Sequence, residues 1–329
     1  MAGPTGCGLV TSGLLSCFAA AALAPISAVG QAYPAKPIRL VVPATPGGGS
    51  DVPARIVTQA LTDVLGWRFV VDNRGGASGR IGTQLAAKAP ADGYTLLLGG
   101  ATPNAVVQSV VPNLPYDTLR DFAPISLIST SDFTLVAHPS LPVNSVQDLI
   151  TLARSKPGQI RFGSVGNLSG AHVSGELLKQ LAKIDLVHVP YKGPGLAMVA
   201  VLSGEVSLYF GSGPSVMPHA KTGKLRLIAT AGRKRSRMFP DLPTVGETVP
   251  GHEAMLWYGI LAPAGTPPDI ISRLNAAIVT AGATPRVIDQ LAGVAMESVN
   301  SSPEEFTAFI QSEIAKWGKV VKASGTPVD

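Results

Sequence analysis

"VVPATPGGGSDVPAR", residues 41–55, carries an apolar strand through three consecutive glycines into a serine, an aspartate and the start of a helix near Asp51. Glycines at such a turn let backbone N–H groups come close to a ligand, and the helix N-terminus adds partial positive charge, so together they make an anion site. Pro53 is compatible because it falls in the first helical turn. A second turn of this kind is "FGSVGNLSGAH", residues 162–172, which runs from a strand into "GAHVSGELLKQLAK". There Gly163, Gly166 and Gly170 permit close approach, while Ser164, Asn167 and Ser169 offer neutral hydrogen-bonding groups. Each turn alone also reads as a tight strand-to-helix connection. Two of them suggest a ligand with two acidic ends.

Outward from these turns, short β-branched runs alternate with helical patterns from Ile38 onward, which predicts βα units around a mostly parallel sheet. The strand candidates are "IRLVVP", "RFVVD", "YTLLLG", "TLVAH", "IRFGSV", "LVHVPY", "VSLYF" and "LRLIATA". Ser145 before Asp148 and Ser302 before Glu305 read as capping boxes, the second with Pro303 at the first helical position. Phe306, Phe309, Ile310, Ile314 and Trp317 recur at three-and-four spacing in the last helix, a core stripe. The Pro- and Gly-rich bends near residues 99–104, 129–142 and 240–266 are too short to separate independent bodies. They fit two lobes between which the chain crosses and returns, with ligands held at the carboxyl ends of strands.

The chain has 329 residues, 46% of them hydrophobic and 14% charged, the balance of a packed globular protein. Its mean hydropathy is positive, yet beyond the N-terminus no apolar run approaches the about 20 residues that span a bilayer. Residues 9–24, "LVTSGLLSCFAAAALA", precede the first basic residue, Lys36, and resemble a secretory signal peptide without a basic n-region. Cleavage after Ala32 satisfies the small-residue rule through Gly30 and Ala32, with cleavage after Ala28 as the alternative; the rival reading of the block is a buried N-terminal helix. Cys7 and Cys17 both lie in this leader, so the mature chain would carry no thiol, disulfide or cysteine metal site. "LLSC" loosely matches a lipoprotein box, but the apolar run continues past Cys17.

Catalytic signatures are missing: no G-x-S-x-G elbow, Walker A loop or H-E-x-x-H occurs, and "GGGSDV" lacks the last glycine of a dinucleotide fingerprint. The five histidines, 138, 172, 188, 219 and 252, have no ligand-like spacing. His172 beside the second turn could donate to a ligand, but fixing the loop is the preferred role. "GRKRSR", residues 232–237, supplies much of the +5 net charge. Without neighbouring stacking aromatics it reads as a solvated loop, and no nucleic-acid partner is expected.

The ordered blocks "YPAKPIRLVVPATPGGGSDVPAR", "VVDNRGGASGRIGTQLAAKAPADGYTLLLG", "LPYDTLRDFAPISLI", "HVPYKG", "GKLRLIAT", "DLPTVGE", "WYGILAPAGTP" and "SPEEFTAFIQSEIAKWGKVVK" resemble the Bug family of extracytoplasmic solute-binding proteins, receptors of tripartite tricarboxylate transporters. The resemblance covers residues 33–329. It implies a type II-like periplasmic binding fold of α/β class, each lobe a mostly parallel sheet flanked by helices, closing on a small carboxylated solute. Expected bounds are a signal peptide at 1–32, one lobe at 33–131 and 252–329, and the other at 132–251. Carried over by position, the first-lobe contacts are Thr45, Gly48, Gly49, Ser50 and Asp51, with Ala101, Thr102 and Asn104. Those of the second lobe are Gly163, Ser164, Gly166, Asn167, Ser169 and His172, with Tyr191, Gly193 and Gly211. The resemblance further implies no cofactor or metal, a monomer, and membrane permease subunits as partners. Rival readings are a receptor feeding a signalling system and an α/β enzyme using the glycine loop for an anionic substrate. Ala44, Leu168 and Gly211 depart from the family, which often has an aromatic, a glycine and an aspartate there. The missing carboxylate at 211 points away from amino acids and toward plain di- or tricarboxylates.

Overall fold

The computed structural model describes residues 1–3, 6, 8, 33–47 and 49–325. Contacts divide the chain into residues 1–32 and 33–329, and all that follows concerns the second unit. The apolar block 9–24, Cys7, Cys17 and Gly48 lie outside the described residues.

β1 (Ile38–Val42) runs into α1 (Asp51–Leu65), followed by β2 (Phe69–Asn73), α2 (Arg80–Ala87), β3 (Thr95–Gly100) and the short α3 (Val107–Val110). β4 (Phe122–Ala137) leads to α4 (Val146–Ser155), β5 (Arg161–Ser164), α5 (Gly170–Ala182), β6 (Val187–Pro190), α6 (Pro194–Leu202), β7 (Leu208–Ser212), α7 (Gly213–Lys221) and β8 (Arg226–Thr230). The chain then forms α8 (Val245–Thr248), β9 (Met255–Pro263), α9 (Pro268–Gly282), α10 (Pro285–Gly293), β10 (Glu297–Ser298) and α11 (Pro303–Ser324).

Strand order is β2-β1-β3-β9-β4-β7-β5-β6, with β10 and β8 also on β4. The outer strands are parallel, β1 with β2 and β3, and β5 with β6 and β7. β9 runs antiparallel to β3 and β4, and β4 antiparallel to β7 and β8. β4 is therefore shared: up to Asp132 it pairs with β9, and from Phe133 with β7. Because β3 runs with β4 and β7 against it, the carboxyl ends of the two parallel sets point toward each other along β4. That geometry creates a cleft between two lobes.

Buried largely on both faces, β1 and β3 are mostly apolar, with Arg39 of β1 paired to Asp72 of β2. Leu40, Val42, Leu96 and Leu98 meet α1 and α9 through Val57, Leu61, Leu274 and Ile278. Val41 and Leu97 turn to the other face, in the cluster that holds Phe306 and Trp317 of α11. The capping box at Ser302 and Glu305 forms in full. Within the helix, buried Glu313 accepts from the indoles of Trp257 at 3.2 Å and Trp317 at 2.9 Å, tying α11 to β9. At α4 the box is half made: Ser145 accepts from Asp148 N, while the Asp148 carboxylate accepts from Asn144 N. The first four residues of "TLVAH" prove to be the end of a 16-residue strand, with His138 just beyond it, and β9 and β10 were not expected as strands. Pro124, Ser126, Ser129 and Asp132 interrupt the apolar signal of β4, and register shifts near Pro124 absorb the donor that proline lacks.

Candidate functional site

Both glycine turns sit over one face of β9. A Cβ on Gly49 would lie 3.3 Å from Tyr258 Oη, and one on Gly170 would lie 3.8 Å from Leu256 Cδ2. Leu256 and Tyr258 are two residues apart on a strand, so they share a face about 7 Å from one another. Phe133 and Ser212, paired across β4 and β7, lie on this same side: Ser131, two before Phe133, pairs with Leu256.

In the first turn Asp51 is buried, and its carboxylate accepts from Gly47 N at 2.9 Å, Arg55 Nε at 2.8 Å and Asn73 Nδ2 at 3.0 Å. Burial pushes its pKa up, but these hydrogen bonds outweigh that and hold it below the usual carboxylate range. Asp51 thus braces the turn from behind with its acceptors occupied. Thr45 and Gly49 are exposed and Ser50 half-buried. Tyr258, buried beneath them with its pKa pushed to about 12 by burial, is a support that the sequence reading missed. Ala101 is buried, Thr102 half-buried and Asn104 fully buried. Asn104 Oδ1 accepts from Gly100 N at 3.0 Å and its amide donates to Thr118 Oγ1 at 3.4 Å, so it too holds the scaffold.

In the second turn Ser164 is buried, 2.7 Å from His188 Nε2, and accepts from Gly166 N at 3.2 Å. Ser169 caps α5 by accepting from His172 N, and donates to Gly166 O at 2.7 Å. His172 Nδ1 accepts from Leu168 N at 3.1 Å and its ring stacks on His188 at 3.9 Å. Burial lowers His172 to about 4 and His188 to about 3, so both are neutral at neutral pH. His172 therefore fixes the loop. Gly166 and Leu168 have φ of +130° and +60°. The left-handed backbone explains why glycine suits position 168, and burial of the leucine side chain offsets a strain of roughly 1 kcal/mol. Asn167 is exposed at the tip. The first N–H groups of α5, at Gly170 and Ala171, have no partner within the helix. The same holds for Asp51 and Val52 at the start of α1, so both turns present donors.

Gly163 is buried in β5 beside the Tyr191 ring. Tyr191 donates its main-chain N–H to Ser164 O, but its hydroxyl bonds Glu205, which precedes β7, so the side chain points away from the carboxyl ends. Gly193, with φ +102°, begins α6 with open space around its Cα. Gly211 pairs with Thr134, the neighbour of Phe133, and strand alternation turns it to the face opposite the two glycine turns. A Cβ there would lie 2.5 Å from Val216 Cγ1 and 2.7 Å from Tyr209 Cε1. The expectation that position 211 selects against an amine in the solute held by the two turns is thereby corrected: it faces elsewhere and its space is filled. Ser212, which the sequence reading passed over, is the residue of β7 on the side of the turns.

A cavity of about 870 Å³ lies apart from both turns. Asp132, Met255, Met296 and Phe309 line it, with the basic loop at its rim. Arg233 pairs with Glu253, Arg235 with Glu247, and Lys234 and Arg237 with Glu297, so the loop's cations are matched by acids. No helix among the described residues is long and apolar enough to cross a membrane. No group of three or more His, Cys, Asp or Glu among them could hold a metal ion.

Two lobes that share a long strand, each presenting a helix N-terminus to the gap, define a solute-binding receptor. The model of the tripartite tricarboxylate transporter family receptor matches residues 53–326. Protein BugT of Bordetella pertussis is 39% identical over 304 residues, covering 92% of this chain and 93% of that protein. The structure of R. palustris Rpa4515 with adipate superposes with a TM-score of 0.79 at 35% identity, covering 89% of this chain and 98% of that one. MatC from Rhodopseudomonas palustris with bound malate gives 0.75 at 29% identity, over 88% and 100%. The chain belongs to the tripartite tricarboxylate transporter receptor family.

Proposed function

We propose that the mature protein is a periplasmic receptor that captures a small di- or tricarboxylate, or a related organic acid, by lobe closure and delivers it to membrane permease subunits. The observation that carries this reading is the convergence of two donor-bearing turns over Leu256 and Tyr258. Adipate and malate in two relatives support the carboxylate class. The change of partners at Asp132 and Phe133 on β4 supports lobes at 33–131 with 252–329 and at 132–251. Direct contacts are assigned to Thr45, Gly48, Gly49, Ser50, Ala101, Thr102, Gly163, Asn167, Gly170, Ala171 and Gly193. Asp51, Asn104, Ser164, Gly166, Ser169, His172 and the Tyr191 main chain hold the turns in place. The protein acts as a monomer, without a cofactor, after removal of residues 1–32.

A binding role without catalysis is supported at the contact between the Ser164 hydroxyl and the His188 ring in the second turn. Ser164 is fully buried, and a His188 held at about 3 is too weak a base to activate it at neutral pH. The test is a thermal-shift screen of residues 33–329 against organic acids. An acid at about 100 times its dissociation constant adds about 2.7 kcal/mol of stability. At least one di- or tricarboxylate should raise the melting temperature; a panel in which none does, while sugars or phosphates do, overturns the reading. Intact mass of periplasmic protein beginning near Tyr33 checks the leader, and a full-length cytoplasmic chain contradicts it.

A further inference from the structure

The register around β4 gathers unpaired polar groups on the side away from the glycine turns. Thr134 pairs with Gly211 on one side and Thr230 on the other, so all three share a face. Tyr209 lies two residues before Gly211 and Asp132 two before Thr134, which puts them on the same face. Thr134 Oγ1 and Thr230 Oγ1 are buried without a hydrogen-bond partner. Tyr209 is 3% exposed, and neither its hydroxyl nor the half-buried Asp132 carboxylate has a hydrogen bond or ion pair among the described residues. Buried polar groups are paired in the great majority of cases, so Thr134 and Thr230 stand out; of the groups on this face, Asp132 is the one that lines a cavity.

Asp132 opens into the 870 Å³ cavity, a size within the usual range for small-molecule sites. Met238, Met255, Met296, Ile288 and Phe309 give it apolar walls. Of the rim cations, Arg233 pairs with Glu253 and both Lys234 and Arg237 with Glu297, which leaves Asp132, packed against Gly232, as the lining acid without a hydrogen bond or ion pair among the described residues. Each of these cations already faces a carboxylate, whereas Asp132 has no cation at ion-pair distance, so an ammonium would complete its charge.

We propose that this cavity is a second small-molecule site, separate from the glycine turns, which takes a compound bearing a primary ammonium on a short apolar body. The ammonium donates to the Asp132 carboxylate and the apolar body rests on the methionine wall. The site stands apart from the carboxylate reading, and neither depends on the other.

The probe is n-butylammonium chloride, titrated by calorimetry into residues 33–329. Saturable binding is expected for wild type. Asp132→Asn should weaken it roughly tenfold or more. Ala292→Trp, which fills an exposed part of the lining without entering the core, should do the same, and it decides the matter if Asp132→Asn does not fold. Gly49→Val, in the first glycine turn, should leave amine binding unchanged. Wild type that shows no saturable binding, or that is matched by both cavity variants, overturns the proposal.

Discussion

Gly170→Ala tests whether the second turn is seated against β9 closely enough to set affinity. The added methyl would lie 2.5 Å from Phe133 Cζ and 2.8 Å from its Cε2, against about 3.5–4.0 Å for a relaxed carbon contact. Phe133 is buried, so either its ring or the start of α5 must give way by roughly 1 Å. Overpacking of this kind costs about 1–3 kcal/mol, and the better helix propensity of alanine returns about 1. The net loss of stability should be about 0–2 kcal/mol, a fall of up to about 8 °C in melting temperature. Binding should suffer more. Moving the Gly170 and Ala171 N–H groups by about 1 Å stretches a 2.9 Å hydrogen bond beyond useful range, and a bond to a charged acceptor contributes about 1.5–3 kcal/mol. Affinity for the acid found by screening should drop about 10- to 100-fold, measured by calorimetry alongside the melting temperature without ligand. Affinity within twofold of wild type would refute the seating of this turn as the source of binding.

Gly211→Ala adds the same methyl on the opposite face, against Val216 and Tyr209, and should lower the melting temperature by about 2–8 °C while leaving acid affinity unchanged; a loss of affinity with the fold intact would put position 211 back at the acid site. Acid should destabilise the protein through its histidines. His172, His188 and His252 are lowered to about 4, 3 and 4 by burial, so between roughly pH 6.5 and 4 the unfolded chain binds more protons than the folded one and stability falls with pH, on the order of 1–2 kcal/mol per histidine from pH 7 to 5. Asp132, raised to about 6 chiefly by burial, works in the opposite sense over part of that range and returns about 1 kcal/mol. Urea unfolding at pH 7 and 5 should show the net loss, and equal stability at both would contradict it. Asp51→Asn should loosen the first turn by removing the charged acceptor shared by Gly47, Arg55 and Asn73, at about 1–3 kcal/mol of stability and with weaker acid binding; unchanged melting and affinity would remove its bracing role.

The two turns were legible because glycine, serine and a helix start follow directly on an apolar strand, all within one local window of sequence. Which side chains bind and which brace was not, since that depends on partners distant in sequence: Asp51 with Asn73, Asn104 with Thr118, Ser164 with His188. The crossing strands were obscured for a related reason. β4 carries Pro124, three serines and Asp132, and its pairing changes sides midway, so no single periodicity describes it. Position 211 shows the cost of inference without register: a glycine at the end of β7 looked like part of the site until its pairing with Thr134 turned it the other way. The large cavity draws on segments near residues 130, 236, 255 and 296, and no local pattern announces it.

The most direct measurement is the structure of residues 33–329 with the acid identified by screening. The carboxylate oxygens should lie within hydrogen-bond distance, about 2.7–3.2 Å, of main-chain N–H groups at 49–52 on one side and at 167, 170 and 171 on the other, over Leu256 and Tyr258. An acid seated instead against Arg233, Lys234 and Arg237, with both glycine turns empty, would contradict the account.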